Sequence, residues 1–133
     1  LAADHSNAWP VAATLARHRP DRWAIVQPDA HTDLLPERLG VKICFATWSY
    51  HANELLGRDG RLVQVGVRAS RFDRGHWEQG LGVRQFWADQ CRADPDGTIA
   101  AIVEHLAARE VTSIYFSNDI DGTDSQWADA AGT

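Results

Sequence analysis

RWAIVQPDAHTD, residues 22–33, joins a short apolar run to an alternating series of carboxylates and an imidazole. The apolar part is too short for a stable helix and ends at Pro28, so it predicts a buried strand. Asp29, His31 and Asp33 follow directly, which places three ligand-type side chains at the carboxyl end of that strand. In α/β proteins with parallel sheets, functional sites lie beyond the carboxyl ends of the strands.

A second predicted strand with carboxylates after it lies near the end of the chain. Residues 96–110 have apolar side chains at helical spacing and predict a helix, which leads into the predicted strand VTSIYFS, residues 111–117. Asp119 and Asp121 follow that strand. Because both acidic runs come after strands of a mostly parallel sheet, we expect them to meet at one edge of the sheet.

The remaining segments continue an alternation of helices and strands, which predicts an α/β fold. The pattern over 68–95 is the least clear: 83–88 favours a strand, and the rest is typical of loop or short helix. We expect helices over 7–18 and 50–58, a loop over 34–47, and strands over 61–67 and 83–88.

The composition excludes several classes of partner. The chain of 133 residues has 18 acidic and 13 basic side chains, a net charge of -5, and no Lys/Arg run that would neutralise phosphates, so we expect no nucleic acid. No apolar stretch approaches the ~20 residues that span a bilayer, so we expect no membrane. Cys44 and Cys91 lack C-x-x-C spacing and predict buried free thiols, which favours a cytoplasmic location.

The carboxylates gathered at the sheet edge predict a metal site. Several like charges in one place are unfavourable unless cations neutralise them. Oxygen ligands with imidazole and no thiolate favour Mn²⁺ or Mg²⁺, and a surplus of carboxylates favours two bridged ions. His5, in ADHS at 3–6, is a further candidate ligand. Each run taken alone has a simpler interpretation as a solvated loop or an aspartate-capped turn, and their joint occurrence favours metal.

Three motifs in the same order resemble those of the ureohydrolases, the family of arginase and agmatinase. The family carries G-G-D-H, D-A-H-x-D and S-x-D-x-D-x-x-D-P, and this chain has AADHS at 2–6, DAHTD at 29–33 and SNDIDGTDS at 117–125. RLVQVGVR at 61–68 is similar to the family's intervening strand. The resemblance implies an arginase-like, three-layer αβα fold with a mostly parallel sheet. Residues 1–133 would form the central to C-terminal part of one ureohydrolase domain, incomplete because both flanks are missing.

The resemblance also implies a binuclear manganese site. One Mn²⁺ would be held by His5, Asp29, Asp33 and Asp119. The other would be held by Asp29, His31, Asp119 and Asp121. Asp29 and Asp119 would therefore bridge the two ions, and Asp124 would brace the loop or a ligand without touching metal.

The activity that the resemblance implies is hydrolysis of a small guanidino compound, agmatine- or arginine-like, to urea and an amine. We mildly favour agmatine-like substrates and expect a homo-oligomer for the full-length protein. His51, in WSYHAN at 48–53, is the candidate for protonating the leaving amine, because imidazole titrates near neutral pH. Its alternative is an ordinary surface histidine, since Ala52 stands where the family usually has Gly.

Several positions depart from the family pattern. Ala2 and Ala3 replace the Gly pair, Ser125 replaces Pro, and the chain stops before the family's guanidinium-binding glutamate. We therefore expect the segment alone to be inactive. Two alternatives stay open: a metal-binding, non-catalytic protein of the arginase fold, and a soluble α/β interaction domain with solvated acidic loops. Histone deacetylase relatives share the architecture but carry a His-His pair that this chain lacks.

Overall fold

The computed structural model describes residues 4–124 and 126–128, and within them the chain forms four strands and five helices. The strands are β1 (Trp23–Pro28), β2 (Leu62–Val67), β3 (Arg84–Trp87) and β4 (Ser113–Phe116). The helices are α1 (Ala8–His18), α2 (Trp48–Leu56), α3 (Arg74–Leu81), α4 (Ala88–Ala93) and α5 (Pro95–Ala107). Two 3-10 turns, His5–Asn7 and Ile120–Gly122, carry the first and last acidic motifs.

The four strands form one sheet in the order β3-β2-β1-β4, and every neighbouring pair is parallel. The chain steps from β1 to β2 to β3 and then returns to the free side of β1 to add β4. The strand order therefore reverses between β1 and β4. A reversal of this kind opens a crevice at the carboxyl ends of the two strands, where α/β proteins place their ligands.

Helices cover both faces of the sheet, which explains the apolar run in β1. Trp23 and Ile25 pack with Ala12 of α1 and Trp48 of α2 on one face. The intervening β1 residues Ala24 and Val26 pack with Leu106 of α5 on the other face. Successive side chains of a strand point to opposite faces, so a strand buried on both sides is apolar throughout. The predicted three-layer αβα architecture is confirmed.

Residues 68–95, where the sequence pattern leaves loop or short helix open, contain the two short helices α3 and α4. In α3, RGHWEQGL, two glycines interrupt the segment and Trp77 is the buried residue, so an apolar stripe of helical period is missing. The helix is set instead by its ends: the Asp73 side chain accepts a hydrogen bond from the backbone N–H of His76 at 2.8 Å, and Gly82 closes it in the left-handed conformation.

The structure also bears on the predictions made for the two cysteines and for membrane-spanning helices. Cys44 and Cys91 are both free, as their spacing predicts, but each is half-buried and not fully buried. Partial burial raises the pKa of the Cys91 thiol. Among the helices in 4–124 and 126–128, none has the length and apolar character needed to cross a bilayer.

Candidate metal centre

Backbone hydrogen bonds continue the sheet beyond its strands and tie the start of each acidic loop to a neighbouring strand. The Asp119 N–H donates to the carbonyl of Pro28 at 3.0 Å, and the Asp29 N–H donates to the carbonyl of Val65 at 3.0 Å. The loop after β4 therefore lies directly against the loop after β1. Side chains that are 90 positions apart in the chain meet there, as the predicted parallel sheet requires.

His5 lies at the centre of the first ligand group. Its Nδ1 is 3.1 Å from Asp29 Oδ2 and 3.0 Å from Asp119 Oδ2. It is also 3.2 Å from Asp33 Oδ2, yet this buried nitrogen makes no hydrogen bond of acceptable geometry with any of the three. The other ring nitrogen, Nε2, is 3.0 Å from Ser117 Oγ. When Nε2–H donates to that hydroxyl, the Nδ1 lone pair faces the carboxylates, which is the arrangement of a histidine that binds metal.

The protonation of this group reflects its concentrated negative charge. Burial disfavours the charged form of His5, but the carboxylates of Asp29 and Asp33 outweigh that cost and raise the pKa of His5 to about 9. Burial raises the pKa of Asp33 to about 6, although His5 opposes the shift. The cluster therefore attracts positive charge, which either a proton or a divalent cation can supply.

A second ligand group shares Asp29 with the first. His31 Nδ1 lies 2.8 Å from Asp121 Oδ2, and the His31 backbone N–H donates to Asp29 Oδ1 at 2.7 Å. The backbone N–H of Ala30 donates to Asp121 Oδ1 at 3.0 Å. Two sets of donor atoms are thus formed, and within each set the atoms lie within 4.8 Å of one another: His5, Asp29 and Asp119 in the first, and Asp29, His31 and Asp121 in the second. Asp29 belongs to both sets, whereas Asp119 belongs to the first.

The donor chemistry fits a hard divalent ion. Carboxylate oxygens and imidazole nitrogens without thiolate suit Mn²⁺ or Mg²⁺. The orphaned Nδ1 of His5 gives this fit an independent observation. A cavity of about 480 Å³ opens onto the donors, a size that suits a small organic molecule. It is lined by Asp4, His5, Asp29, His31, Asp33, Arg38, Phe45, Ala46, Asp119 and Asp121.

Three buried glutamine side chains form a ladder of hydrogen bonds that ends at the Asp29 carboxylate. Gln27 Nε2 donates to Asp29 Oδ2 at 2.6 Å, while its Oε1 accepts from Ser49 Oγ at 2.8 Å and Gln64 Nε2 at 2.9 Å. Gln64 Oε1 accepts in turn from Gln85 Nε2 at 2.8 Å. The three glutamines occupy paired positions on β1, β2 and β3. Because every amide has a partner, the ladder fixes the orientation of the Asp29 carboxylate.

Two further residues shape the site without being predicted from the sequence. The Trp48 indole N–H donates to Asp33 Oδ2 at 3.0 Å and holds a residue whose φ is 52°. A Cβ on Gly122 would lie 2.9 Å from the backbone nitrogen of Asp29, so glycine lets the two acidic loops approach this closely. The glycine of the D-x-D-G motif is the sequence signal for this contact.

The structure places two of the predicted site residues away from the ligand cluster. His51 does not line the cavity; its Nε2–H donates to the carbonyls of Pro36 at 3.0 Å and Lys42 at 2.9 Å. Asp124 pairs with Arg92 at 3.3 Å beside a different cavity of about 460 Å³. The His51 ring is drawn to the carbonyls of the loop that precedes α2, an interaction that sequence spacing cannot reveal.

Comparisons with known proteins agree with this geometry. Residues 1–133 match the model of the Arginase family. The chain is 31% identical over 138 residues to guanidinobutyrase of Pseudomonas aeruginosa, covering 100% of the chain and 42% of that protein. It is 32% identical over 139 residues to mitochondrial agmatinase of Gallus gallus, covering 100% and 39%. The structure of proclavaminate amidinohydrolase from Streptomyces clavuligerus superimposes with a TM-score of 0.78 at 29% identity, covering 96% of this chain and 41% of that one.

The matches cover the whole of this chain but only part of each relative. The curated relatives align along the full length of this chain, which spans only 38–42% of their own lengths. The predicted arginase-like fold of an incomplete domain agrees with that proportion. Because the family match extends over every residue from 1 to 133, this chain belongs to the arginase family.

Proposed function

We propose that the protein containing this segment hydrolyses a small guanidino compound, agmatine- or arginine-like, to urea and an amine, using two Mn²⁺ ions. The observation that carries the proposal is the position of Asp29 in both ligand groups. One shared carboxylate is the arrangement by which two ions are held close enough to act on one substrate. Relatives named guanidinobutyrase and agmatinase support the choice of substrate class.

In the proposed reaction, residues of this chain would hold the two ions and position the ligands that bind them. Two bound Mn²⁺ ions would supply an activated water and would stabilise charge that develops at the guanidinium carbon. Gln27 donates a hydrogen bond that holds the shared carboxylate of Asp29 in place. Trp48 donates one that holds the carboxylate of Asp33. The remaining proposed ligands are His5, His31, Asp119 and Asp121. Asp124 would act from outside the coordination sphere by fixing the last loop through Arg92.

His51 stays our candidate for proton transfer to the leaving amine, and one substitution tests this. His51→Gln keeps an N–H donor for the two loop carbonyls but cannot take up and release a proton. If His51 transfers the proton, kcat falls by ~10²–10⁴ while the bound manganese is unchanged. The measurement is steady-state urea release, with metal content determined on the same samples. A kcat within a few-fold of wild type would assign His51 to holding the loop instead.

The proposed function is tested with the full-length protein. Loaded with Mn²⁺ and given a panel of guanidino compounds, it should release urea, and removal of the metal by a chelator should abolish that release. Manganese uptake without urea from any compound would favour the non-catalytic member of the fold. Absence of tight manganese binding would favour the interaction domain with solvated loops. The 133-residue segment is expected to be inactive alone, and urea release by it would contradict that expectation.

Three properties of the full-length protein stay predictions. We expect a homo-oligomer, a cytoplasmic location and a small guanidino molecule as its partner, with neither nucleic acid nor membrane. The two free thiols are the observation behind the location. Light scattering of the full-length protein tests the oligomer.

A further inference from the structure

A tight turn stands at the rim of the acidic cavity. The backbone N–H of Arg38 donates to the carbonyl of Val41 at 3.0 Å, and the N–H of Val41 donates back to Arg38 at 2.9 Å. Between them Leu39 and Gly40 have φ of 50° and 77°. Two central residues with positive φ closed by a reciprocal pair of hydrogen bonds form a rigid two-residue turn. Arg38 is therefore held at the base of this turn.

The flanks of the turn are tied to the body of the protein. His51 donates from a single nitrogen to the carbonyls of Pro36 and Lys42, which lie on either side of the turn. This three-centre contact closes the loop against α2. The position of Arg38 at the cavity thus follows from the backbone and does not depend on its own side chain finding a partner.

Arg38 is the exception in an otherwise acidic cavity. Five aspartates and two histidines line it, and Arg38 is the sole Lys or Arg side chain among the described lining residues. Its guanidinium lies 4.8 Å from the ring centroid of Phe45, another lining residue. None of the ion pairs found among residues 4–124 and 126–128 involves Arg38. A cation–π contact of this kind leaves the N–H groups of the guanidinium able to bind a further partner.

We propose that Arg38 binds a carboxylate on the substrate, so that the preferred substrates are ω-guanidino acids. This inference rests on the proposed function and specifies its substrate class. The guanidinium end would enter the acidic cluster, and the carboxylate end would pair with the Arg38 fork, a geometry that suits two parallel hydrogen bonds. A substrate ending in an ammonium group, such as agmatine, would bring a like charge to Arg38. Arg38 thus disfavours the agmatine-like substrates that the sequence favours.

The test compares three substrates with matched chains: 5-guanidinopentanoate, agmatine and the uncharged-tail analogue butylguanidine. The full-length, Mn²⁺-loaded protein should hydrolyse the acid with a kcat/KM at least roughly tenfold above that for agmatine. Arg38→Met should lower the ratio of kcat/KM for the acid over butylguanidine by ~10–100-fold, since a hydrogen bond to a charged group contributes about 1.5–3 kcal/mol. Arg38→Glu should shift the preference toward agmatine.

Lys42→Met is the matched control. It removes one positive charge from the same loop, but Lys42 does not line the cavity, so the substrate ratio should stay at the wild-type value. Equal ratios in R38M and K42M, or a wild-type preference for agmatine, would overturn this inference and leave urea hydrolysis standing. Absence of urea from all three substrates would instead overturn the proposed function, and the inference with it.

Discussion

Asp29→Asn is expected to abolish tight binding of both Mn²⁺ ions. Asp29 is 1% exposed and belongs to both ligand groups, so the loss of its charge affects each of them. Asparagine also replaces one of the two carboxylate oxygens, which accept from Gln27 and from the His31 backbone, with an N–H₂ group that cannot accept a hydrogen bond. We expect manganese affinity to fall by more than ~100-fold, beyond the 10–100-fold usual for residues that only support a ligand.

Two other aspartates give this prediction its controls. Asp121→Asn alters the second group only, and should leave one ion bound. Asp73→Asn makes the same chemical change at the start of α3, where asparagine also caps a helix, and should leave both ions bound. Manganese content after equilibrium dialysis distinguishes the three variants. Retention of two ions by D29N at wild-type affinity would remove the basis of the binuclear centre.

Trp48→Ala is expected to lower the free energy of unfolding by about 3–5 kcal/mol, more than any other substitution proposed for this chain. Trp48 is fully buried between α1 and the sheet. It also packs against the His5 ring at 4.6 Å and donates to Asp33, so its removal disturbs the metal centre as well as the core. Trp48→Phe keeps an aromatic ring and loses the hydrogen bond, and should cost less than the alanine variant.

Denaturant unfolding of the metal-free protein measures this effect without a contribution from manganese binding. Trp127→Ala is the control, because Trp127 is 83% exposed and its truncation should change stability by no more than about 0.5 kcal/mol. If W48A and W127A unfolded at the same denaturant concentration, Trp48 would not be the core residue that its burial indicates.

Much of the fold follows from local patterns in the sequence. The apolar run that ends at Pro28 predicts a strand buried on both faces, and β1 is such a strand. The convergence of the two acidic loops follows from parallel pairing alone, since all carboxyl ends of the strands lie on one side. Helix α3 could not be predicted in this way, because Trp77 alone does not make an apolar periodicity. Its aspartate cap and terminal glycine are local signals that a search for periodicity passes over.

The candidate site also contains some features that local sequence patterns predict and others that they do not. Ligand types are visible in the sequence because they alternate directly after strands. The role of Gln27 depends on pairing with Gln64 of another strand, and a polar residue inside a strand carries no sign of its partner. The orientation of His51 and the placement of Arg38 both depend on the loop between β1 and α2. Those contacts form only in the folded chain and so lie beyond what spacing can predict.

Because the strand order reverses between β1 and β4, the proposed metal centre would be complete only after the last strand of the chain has paired with β1. His5 and its hydrogen-bond partner Ser117 are separated by 112 positions, and the other candidate ligands come from the loops after β1 and β4, the first and last strands in chain order. Any piece that contains the full donor set must extend at least from His5 to Asp121. Metal binding at the proposed centre would therefore stabilise the arrangement of strands by mass action, and a chain that has not yet added β4 would bind manganese more weakly because Asp119 and Asp121 are not in place. Manganese supplied during refolding should accordingly act late, by trapping chains whose last strand has docked.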